Sequence, residues 1–187
     1  MLNNKEHFTP EGLIKIVSIR ASLNKGLSET LSTHFLDIVP VVRPSVEVNE
    51  IYDPHWLAGF TSAEGCFFIS IYDSPRYKLG KAVGLTFSVT QHLRDKVLMK
   101  YLVNYLGCGW VSERKGACDF KVKSITDINK KVIPFFDKCP IFGVKALDYA
   151  DFCRVAQIME TKAHLTQEGL NEILKIKTGM NKGRSNI

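Results

Sequence analysis

The sequence contains no long hydrophobic run, no closely paired cysteines and no recognisable targeting segment. No apolar stretch approaches the roughly 20 residues that a membrane-spanning helix needs, so we expect no membrane partner. The N-terminus shows neither a signal peptide nor an Arg- and Ser-rich presequence, so we expect a soluble protein that stays in the compartment where it is made. The cysteines form no C-x-x-C motif, which favours reduced, mostly buried thiols over a disulfide framework or a zinc site; they are Cys66, Cys108, Cys118, Cys139 and Cys153.

Acidic residues are fewer than basic ones. The chain has 25 Lys and Arg against 19 Asp and Glu, which gives a net charge of +6 and a pI near 9.0. This surplus of positive charge favours anionic partners, with nucleic acid the leading class. The 187 residues, 45% of them apolar, are enough to form a buried core in one or two domains.

Residues 7–28 and 164–185 are copies of one another, because eleven of the 22 aligned positions are identical. Each copy predicts a short helix with a threonine cap, Thr9 or Thr166, and an Asn-Lys-Gly sequence at its end. A repeat at this spacing indicates a duplicated domain. We therefore predict that residues 1–39 are the closing helical segment of a truncated preceding domain. Residues 40–54 would be a proline-containing linker and residues 55–187 a complete domain.

From Cys66 onward, apolar and polar residues alternate with the period of a β-strand. Two strand pairs are predicted, with Lys115-Gly116 as the turn of the second pair. Between the pairs we predict a helix at 93–106 with Gly107 at its end, and further helices at 127–138, 145–163 and 166–178. This order predicts an α+β domain with its helices packed on one face of a four-stranded antiparallel sheet. The predicted apolar stripe of the first of these helices is Leu93, Val97, Leu98, Tyr101 and Leu102.

The other face of the predicted sheet is polar and basic. A solvated sheet face often has this composition. The excess of cations over acids instead favours a nucleic-acid interface, because a two-stranded β-ribbon fits the major groove and Arg or Lys can read guanine there. The candidate contact residues are Ser70, Tyr72, Arg76, Lys78, Lys81, Thr86, Ser88, Thr90, Ser112, Arg114, Lys115, Asp119, Lys121 and Lys123.

Residues 54–64 predict a helix that carries several small side chains. Asp53-Pro54 is a typical helix start, since Asp can accept from the first free N–H groups and Pro fits the first turn. Small side chains let a second helix backbone approach closely. We therefore predict that Ala58, Gly59 and Ser62 form a helix–helix interface. Gly65 is expected to end the helix in the left-handed conformation.

The end of this helix is a candidate cation site. The last carbonyls of a helix have no partner within the helix, so the Glu64 carboxylate beside the Ala63 carbonyl is rich in oxygen. Such a site suits a hard divalent cation such as Mg²⁺. The alternative is a glycine-capped core helix whose Glu64 is simply solvated.

Residues 56–65 (WLAGFTSAEG) and the strand that follows them resemble the signature helix of the LAGLIDADG homing endonucleases. Residues 133–145 and 164–170 are similar to segments of fungal mitochondrial, intron-encoded members. The resemblance covers about 53–183, and it implies an α-β-β-α-β-β-α half-domain and a mitochondrial location. One departure is Ser62, which stands where the family's name has an acidic residue.

The resemblance also implies roles for individual residues. Glu64 and the backbone carbonyl of Ala63 would bind Mg²⁺, Lys145 would stabilise charge on the phosphate, and Gln91 would position a water molecule. An ordinary lysine at a helix N-terminus is the alternative for Lys145.

The sequence contains one signature helix, whereas the resemblance implies an active site made by two. The chain would then be a Mg²⁺-dependent, site-specific double-strand DNA endonuclease, or half of one. It would act with a second LAGLIDADG domain from a homodimer or a separate half. Alternatively, it would bind structured RNA without cutting, as a maturase or a structural subunit of a ribonucleoprotein such as an organellar ribosome. A protein-binding module fits the basic sheet face least, and the presence of both Glu64 and Lys145 favours catalysis that is retained or only recently lost.

Overall fold

The computed structural model describes residues 3–44 and 53–184, and the chain forms two compact units, residues 1–47 and residues 48–187. The predicted linker, 40–54, falls partly on residues 45–52, which lie outside the described residues. Within the two described ranges, no helix is both long enough and apolar enough to cross a membrane.

The first unit is helical. A 3₁₀ turn at Glu6–Phe8 leads into helix α1 (Pro10–Ser22), and helix α2 (Glu29–His34) follows. The side chain of Thr9 caps α1 as predicted, because its Oγ1 accepts a hydrogen bond from the Gly12 N–H at 3.1 Å. Gly12 cannot be replaced by a larger residue without movement, because an added Cβ would collide with the Glu6 carbonyl oxygen.

The second unit contains the predicted sheet. Its elements are helix α3 (Pro54–Glu64), strand β1 (Gly65–Asp73), strand β2 (Lys81–His92), helix α4 (Lys96–Leu106), strand β3 (Trp110–Arg114) and strand β4 (Ala117–Val122). Helix α5 (Ile125–Asp127), a π-helical turn (Ile128–Val132) and helix α6 (Ile133–Lys138) follow without a break. Helix α7 (Val144–Glu160) and helix α8 (Gln167–Thr178) complete the unit.

All neighbouring strands are antiparallel, in the order β1-β2-β4-β3. Gly116, at a φ of +75°, occupies the predicted turn between β3 and β4, and Gly107 ends α4 at a φ of +65°. The apolar face of the sheet and the helices form a single core. The predicted α+β architecture, with helices on one face, is therefore confirmed. The largest fully buried side chains include Phe67, Phe87, Phe120, Phe136 and Phe152.

The two copies of the sequence repeat have the same local structure. The second copy begins with a 3₁₀ turn at Ala163–Leu165, and Thr166 caps α8 by accepting from the Gly169 N–H at 3.1 Å. As in the first copy, an added Cβ on this glycine would collide with a carbonyl oxygen, that of Ala163. Equivalent residues also have positive φ: 44° at Asn24 and 52° at Asn181. The two copies of the sequence repeat therefore share the same backbone conformation at the positions that the structure describes.

The predicted stripe of α4 was wrong at Leu93 and Val97, whereas Leu98 packs against the core and Leu102 is fully buried as predicted. Leu93 belongs to a 3₁₀ turn that precedes the helix, and Val97 is 58% exposed. The residues that α4 buries are Met99, Leu102 and Leu106, at spacings of three and four. Because a 3₁₀ turn has three residues per turn, it puts Leu93 out of phase with the α-helix that follows.

The predicted conformation of Gly65 was also wrong. Its φ of −76° and ψ of 155° are extended, so β1 begins directly at the end of α3. Glycine is needed there for space, because an added Cβ would lie 2.6 Å from the carbonyl oxygen of Thr61. The consequence is a direct junction between the candidate metal site and the edge strand of the sheet.

Candidate active site and nucleic-acid interface

Glu64 is the last residue of α3, and its side chain is exposed. The helix begins as predicted, since Asp53 Oδ1 accepts from the His55 N–H at 2.8 Å and Pro54 occupies the first turn. Among the described residues, Glu64 forms no hydrogen bond and no ion pair, so its carboxylate is available to a ligand. The carbonyl of Ala63 is one of the last four of the helix, which have no partner inside it.

Lys145 lies beside this helix end. It is the second residue of α7 and is half-buried, and its Nζ donates a hydrogen bond to the Gly65 carbonyl oxygen at 2.5 Å. A lysine at a helix N-terminus is disfavoured by the helix dipole. Its ammonium is instead directed at the backbone of the residue after Glu64. The structure thus brings Lys145 to the end of the helix that carries Glu64.

Gln91 lies near the end of β2 and is half-buried. Val89 of β2 pairs with Gly65, the first residue of β1. Gln91 is two residues further along β2, so it extends beyond β1 at the end of the sheet where α3 ends. Across the other edge of β2 it pairs with Cys118 of β4. Within the described part of the chain, Gln91 forms no hydrogen bond with Glu64 or Lys145. Its predicted role in positioning water therefore remains a prediction.

The oxygen donors at the end of α3 fit part of a Mg²⁺ site. One free carboxylate and one unpaired helix carbonyl are the hard ligands that this cation prefers. The described residues contain no group of three or more His, Cys, Asp or Glu side chains that could hold a metal alone. Further ligands must therefore come from elsewhere, and a second carboxylate, a phosphate and water are chemically suitable.

The small residues of α3 divide between two faces. Ala58 is only 3% exposed and belongs to the core of its own unit, so its predicted place in a helix interface was wrong. Gly59 is exposed, and an added Cβ there would meet nothing within 4 Å. Ser62 is half-buried and donates to the Ala58 carbonyl oxygen at 2.9 Å. The open stripe of the helix is formed by Trp56, Gly59 and Ala63, and the interface role of Gly59 and Ser62 stays a prediction.

The predicted contact residues line the polar sheet face and its turns. Lys81 forms an ion pair with Asp73 at 2.6 Å, and Ser70 Oγ donates to the Gly84 carbonyl oxygen at 3.1 Å. Among the other candidates, those that are half-buried are Thr86, Ser88, Thr90, Ser112 and Lys121. The exposed ones are Tyr72, Arg76, Lys78, Arg114, Lys115 and Lys123.

Asp119 is the exception, because the structure buries it. It is 5% exposed, so the prediction that it projects outward as a contact residue was wrong. Burial alone would raise the pKa of Asp119, but hydrogen bonds from Thr90, Arg114 and Lys121 outweigh that effect and lower the pKa to about 2. The carboxylate is therefore ionised at neutral pH beneath the surface.

Two aromatic residues on the open sheet face were missed by the sequence prediction. Phe68 is 46% exposed and lies between the buried residues Phe67 and Ile69. Trp110 is 43% exposed and is paired with Lys121 of β4. Lys177 of α8 lies over the Phe68 ring, with its Nζ 5.9 Å from the ring centroid. The sequence signal for both is the strand alternation, which puts Phe68 on the same face as Ser70 and Trp110 on the same face as Ser112.

The segment after α8 was missed as well. The Asn181 Nδ2 donates to the Phe67 carbonyl oxygen of edge strand β1 at 3.0 Å, and the Asn181 N–H donates to Asp148 at 3.0 Å. A cavity of about 880 Å³ lies beside this segment, and its lining includes Ser62, Cys66, Lys145 and Lys177. The Asn-Lys-Gly sequence common to both copies of the repeat was the signal that could have identified it.

Comparison with known proteins agrees with this geometry. The LAGLIDADG endonuclease family model matches residues 57–156. A curated relative from Neurospora crassa, "Probable intron-encoded endonuclease 3", is 42% identical over 92% of this chain and 33% of its own length. A second from the same fungus, "Probable intron-encoded endonuclease 2", is 41% identical over 96% of this chain and 41% of its own length. The chain thus spans only about a third to two fifths of these relatives.

Solved structures show the same similarity. The I-SmaMI LAGLIDADG homing endonuclease, bound to cleaved DNA, superposes with a TM-score of 0.94 at 47% identity, over 98% of this chain and 62% of that one. The I-LtrWI LAGLIDADG homing endonuclease, bound to target DNA, has a TM-score of 0.94 at 49% identity with the same coverage. Since the family model matches more than half of the chain and the fold agrees, the chain belongs to the LAGLIDADG endonuclease family.

Proposed function

We propose that residues 53–184 form one half of a Mg²⁺-dependent, site-specific DNA endonuclease, which cuts when a second LAGLIDADG domain supplies the other carboxylate. The observation that carries this proposal is the hydrogen bond between Lys145 and the Gly65 carbonyl, which holds an ammonium at the backbone of the residue that follows Glu64. Solved neighbours are described as bound to cleaved DNA and, in one case, to uncleaved DNA in the presence of calcium ions. These descriptions support DNA as the substrate and a divalent cation as the cofactor.

Each residue of the site has a separate role in this proposal. Glu64 and the Ala63 carbonyl hold the cation. A bound Mg²⁺ neutralises charge on the scissile phosphate and lowers the pKa of bound water. Lys145 stabilises the negative charge that develops on the phosphate, because its ammonium lies within reach of the helix end. Gln91 orients the attacking water from the end of β2.

The proposed partner domain packs on the open stripe of α3. Gly59 and Ala63, the small residues of this stripe, permit close contact between helix backbones. Two such helices would place two copies of the Glu64 position side by side, one for each strand of a duplex. A homodimer would require a nearly palindromic target, whereas a separate half would not.

Residues 1–39 are proposed to be the closing segment of a preceding domain, joined by a linker at 40–54. Supporting this, Leu170, Ile173 and Met180 of the second copy are buried in the core of their unit. Of their three equivalents in the first copy, Leu13 and Leu23 are exposed and Ile16 is half-buried. The first copy thus has the apolar surface of a closing helix without a matching core in its own unit.

The proposed location is the mitochondrion. Relatives from fungi are named as intron-encoded endonucleases, and weaker matches are named for introns of cox1 and ND4. The same names do not favour the alternative of an RNA maturase or a ribosomal subunit.

The test is cleavage of a randomised duplex DNA library by the purified full chain with Mg²⁺, at concentrations that let two copies pair. Glu64→Gln should abolish cleavage while leaving DNA binding intact. Glu160→Gln is the matched control, because Glu160 is also an exposed glutamate that ends a helix. This variant should cut like the wild type. Equal cleavage by Glu64→Gln would remove Glu64 from the mechanism, and binding without any wild-type cleavage would contradict endonuclease activity for a pair of these chains.

A further inference from the structure

A cluster of five polar side chains lies across three strands of the open sheet face. Asp119 of β4 is directly opposite Thr90 of β2 on one side and Ser112 of β3 on the other. Arg114, at the end of β3, and Lys121, two residues along β4, complete the group. We call these residues the Asp119 cluster; they are Thr90, Ser112, Arg114, Asp119 and Lys121.

Every member of the Asp119 cluster is held by hydrogen bonds. Thr90 Oγ1 donates to Asp119 Oδ1 at 2.7 Å. The Arg114 guanidinium donates through two nitrogens, Nε to Oδ2 and Nη2 to Oδ1, both at 3.3 Å. Lys121 Nζ donates to Asp119 Oδ2 and to Ser112 Oγ, both at 3.0 Å. The buried carboxylate therefore anchors two long cationic side chains at once.

The two cations keep donors that face away from the carboxylate. A guanidinium has five N–H groups, so after two are used by Asp119 three remain. An ammonium has three, so Lys121 retains one. Both side chains are partly exposed, with 60% of the Arg114 side chain and 30% of the Lys121 side chain accessible. These are the donor types that read guanine in the major groove.

We propose that Asp119 is a positioning residue for sequence recognition, which orders Arg114 and Lys121 before DNA arrives and thereby sets base discrimination. This inference rests on the proposed DNA-binding function. Asp119 does not touch DNA in this scheme, because it lies beneath the cations. Its negative charge in fact opposes binding to phosphate in general. Asp119 therefore increases the selectivity among DNA sequences and lowers the affinity for arbitrary DNA.

The size of the effect follows from side-chain ordering. Immobilising a long, rotamer-rich side chain during binding weakens an interaction by about two- to tenfold. A side chain that is already ordered before binding avoids this loss of affinity. It does so only for DNA sequences that fit the single side-chain conformation held by the Asp119 cluster. Releasing both Arg114 and Lys121 should therefore reduce discrimination among DNA sequences by about tenfold, while the removed charge raises affinity for arbitrary DNA.

The experiment compares Asp119→Asn with Glu113→Gln in the full chain. Both substitutions remove one negative charge from the same hairpin, but Glu113 pairs with Lys96 outside the Asp119 cluster. The probe is a randomised duplex library from which bound sequences are selected, together with the salt dependence of binding to one arbitrary duplex. Both variants should bind the arbitrary duplex more tightly than the wild type. Only Asp119→Asn should broaden the set of selected sequences. The ratio of affinity for preferred sequences to affinity for average sequences should fall by about tenfold.

Loss of ordering can also be measured without DNA. In the free protein labelled with ¹⁵N, relaxation of the Arg114 Nε–H group should show a rigid side chain in the wild type and a mobile one in Asp119→Asn. If the wild type selects no sequence, the proposed DNA-binding function fails, and this measurement still decides whether Asp119 orders Arg114. A rigid Arg114 in Asp119→Asn, or equal broadening by Glu113→Gln, would overturn the proposal.

A second variant covers the case in which Asp119→Asn does not fold. Ser112→Ala removes one of the two anchors of Lys121 and leaves the charge of the cluster unchanged. It should lower the affinity ratio of preferred to average sequences by about twofold. The change should appear at the base positions that Lys121 reads and not at those that Arg114 reads. Unchanged selection by Ser112→Ala would contradict the positioning role of the cluster.

Discussion

Substitution of Gly59 by alanine should have opposite effects on the isolated chain and on the assembled enzyme. Gly59 lies inside α3, at a position where an added Cβ meets nothing within 4 Å. In a helix interior, alanine is more favourable than glycine by about 0.8–1 kcal/mol. We therefore expect Gly59→Ala to stabilise the isolated chain by up to about 1 kcal/mol. For a protein of this size that corresponds to an increase in Tm of about 2–4 °C.

The same methyl group should weaken pairing with a second domain. If two α3 helices pack through Gly59, an added Cβ on each helix keeps the backbones apart. Overpacking of this kind costs about 1–3 kcal/mol. We expect Gly59→Ala to reduce association and DNA cleavage by about tenfold or more while the melting temperature rises.

Thermal unfolding at low protein concentration and sedimentation at high concentration measure the two effects separately. Gly65→Ala is the matched control, since its Cβ would lie 2.6 Å from the Thr61 carbonyl oxygen. It should lower the melting temperature. A lower melting temperature for Gly59→Ala would show that this face of α3 is not open. Unchanged association and cleavage would show that Gly59 is not at the interface.

Two further predictions concern Lys145 and Thr90. Lys145→Met should reduce cleavage by about a hundredfold or more, the usual effect of losing one donor that stabilises transition-state charge, with a much smaller change in DNA affinity measured by titration. Thr90→Val removes one of the hydrogen bonds that lower the pKa of Asp119, and it should cost about 1–2 kcal/mol of stability at pH 7. Because the folded pKa of Asp119, about 2, is below its ordinary value of 3.8, this stabilisation is complete above pH 4 to 5 and is lost as the pH falls towards 2. The difference between Thr90→Val and wild type in urea unfolding should therefore shrink between pH 5 and pH 2, and a constant difference would contradict this explanation.

The architecture could be predicted because its determinants are local. Strict alternation along β1 and β2, a two-residue turn at Lys115-Gly116 and a glycine after α4 each specify a conformation within a few residues. The end of α3 was predictable for the same reason, since Glu64 and the unpaired carbonyl of Ala63 are neighbours in sequence. The proximity of Lys145 to that helix end came from the family resemblance and not from any local pattern.

The errors at Asp119 and Ala58 share a physical cause, which is contact between residues far apart in sequence. Asp119 alternates outward on β4, but donors from β2 and β3 cover it, and Thr90 is 29 residues away. Ala58 looks like its small neighbours, but it packs into the core of its own unit. Tertiary packing overrides a local pattern at both positions. Gly65 differs, because the Thr61 carbonyl oxygen that an added Cβ would meet is only four residues away.

The repeat leaves two segments of the same backbone geometry with different side chains at one position. In the second copy, the residue at that position pairs with α7. The ion pairs of Arg184 distinguish them, because this residue bonds both Asp148 and Asp151, at 3.0 Å and 2.6 Å. The equivalent residue of the first copy is Leu27, which has no charge to offer. A leucine in one copy and an arginine in the other therefore give two segments of one backbone geometry different pairing chemistry, because only the arginine can form ion pairs with the acidic residues of α7.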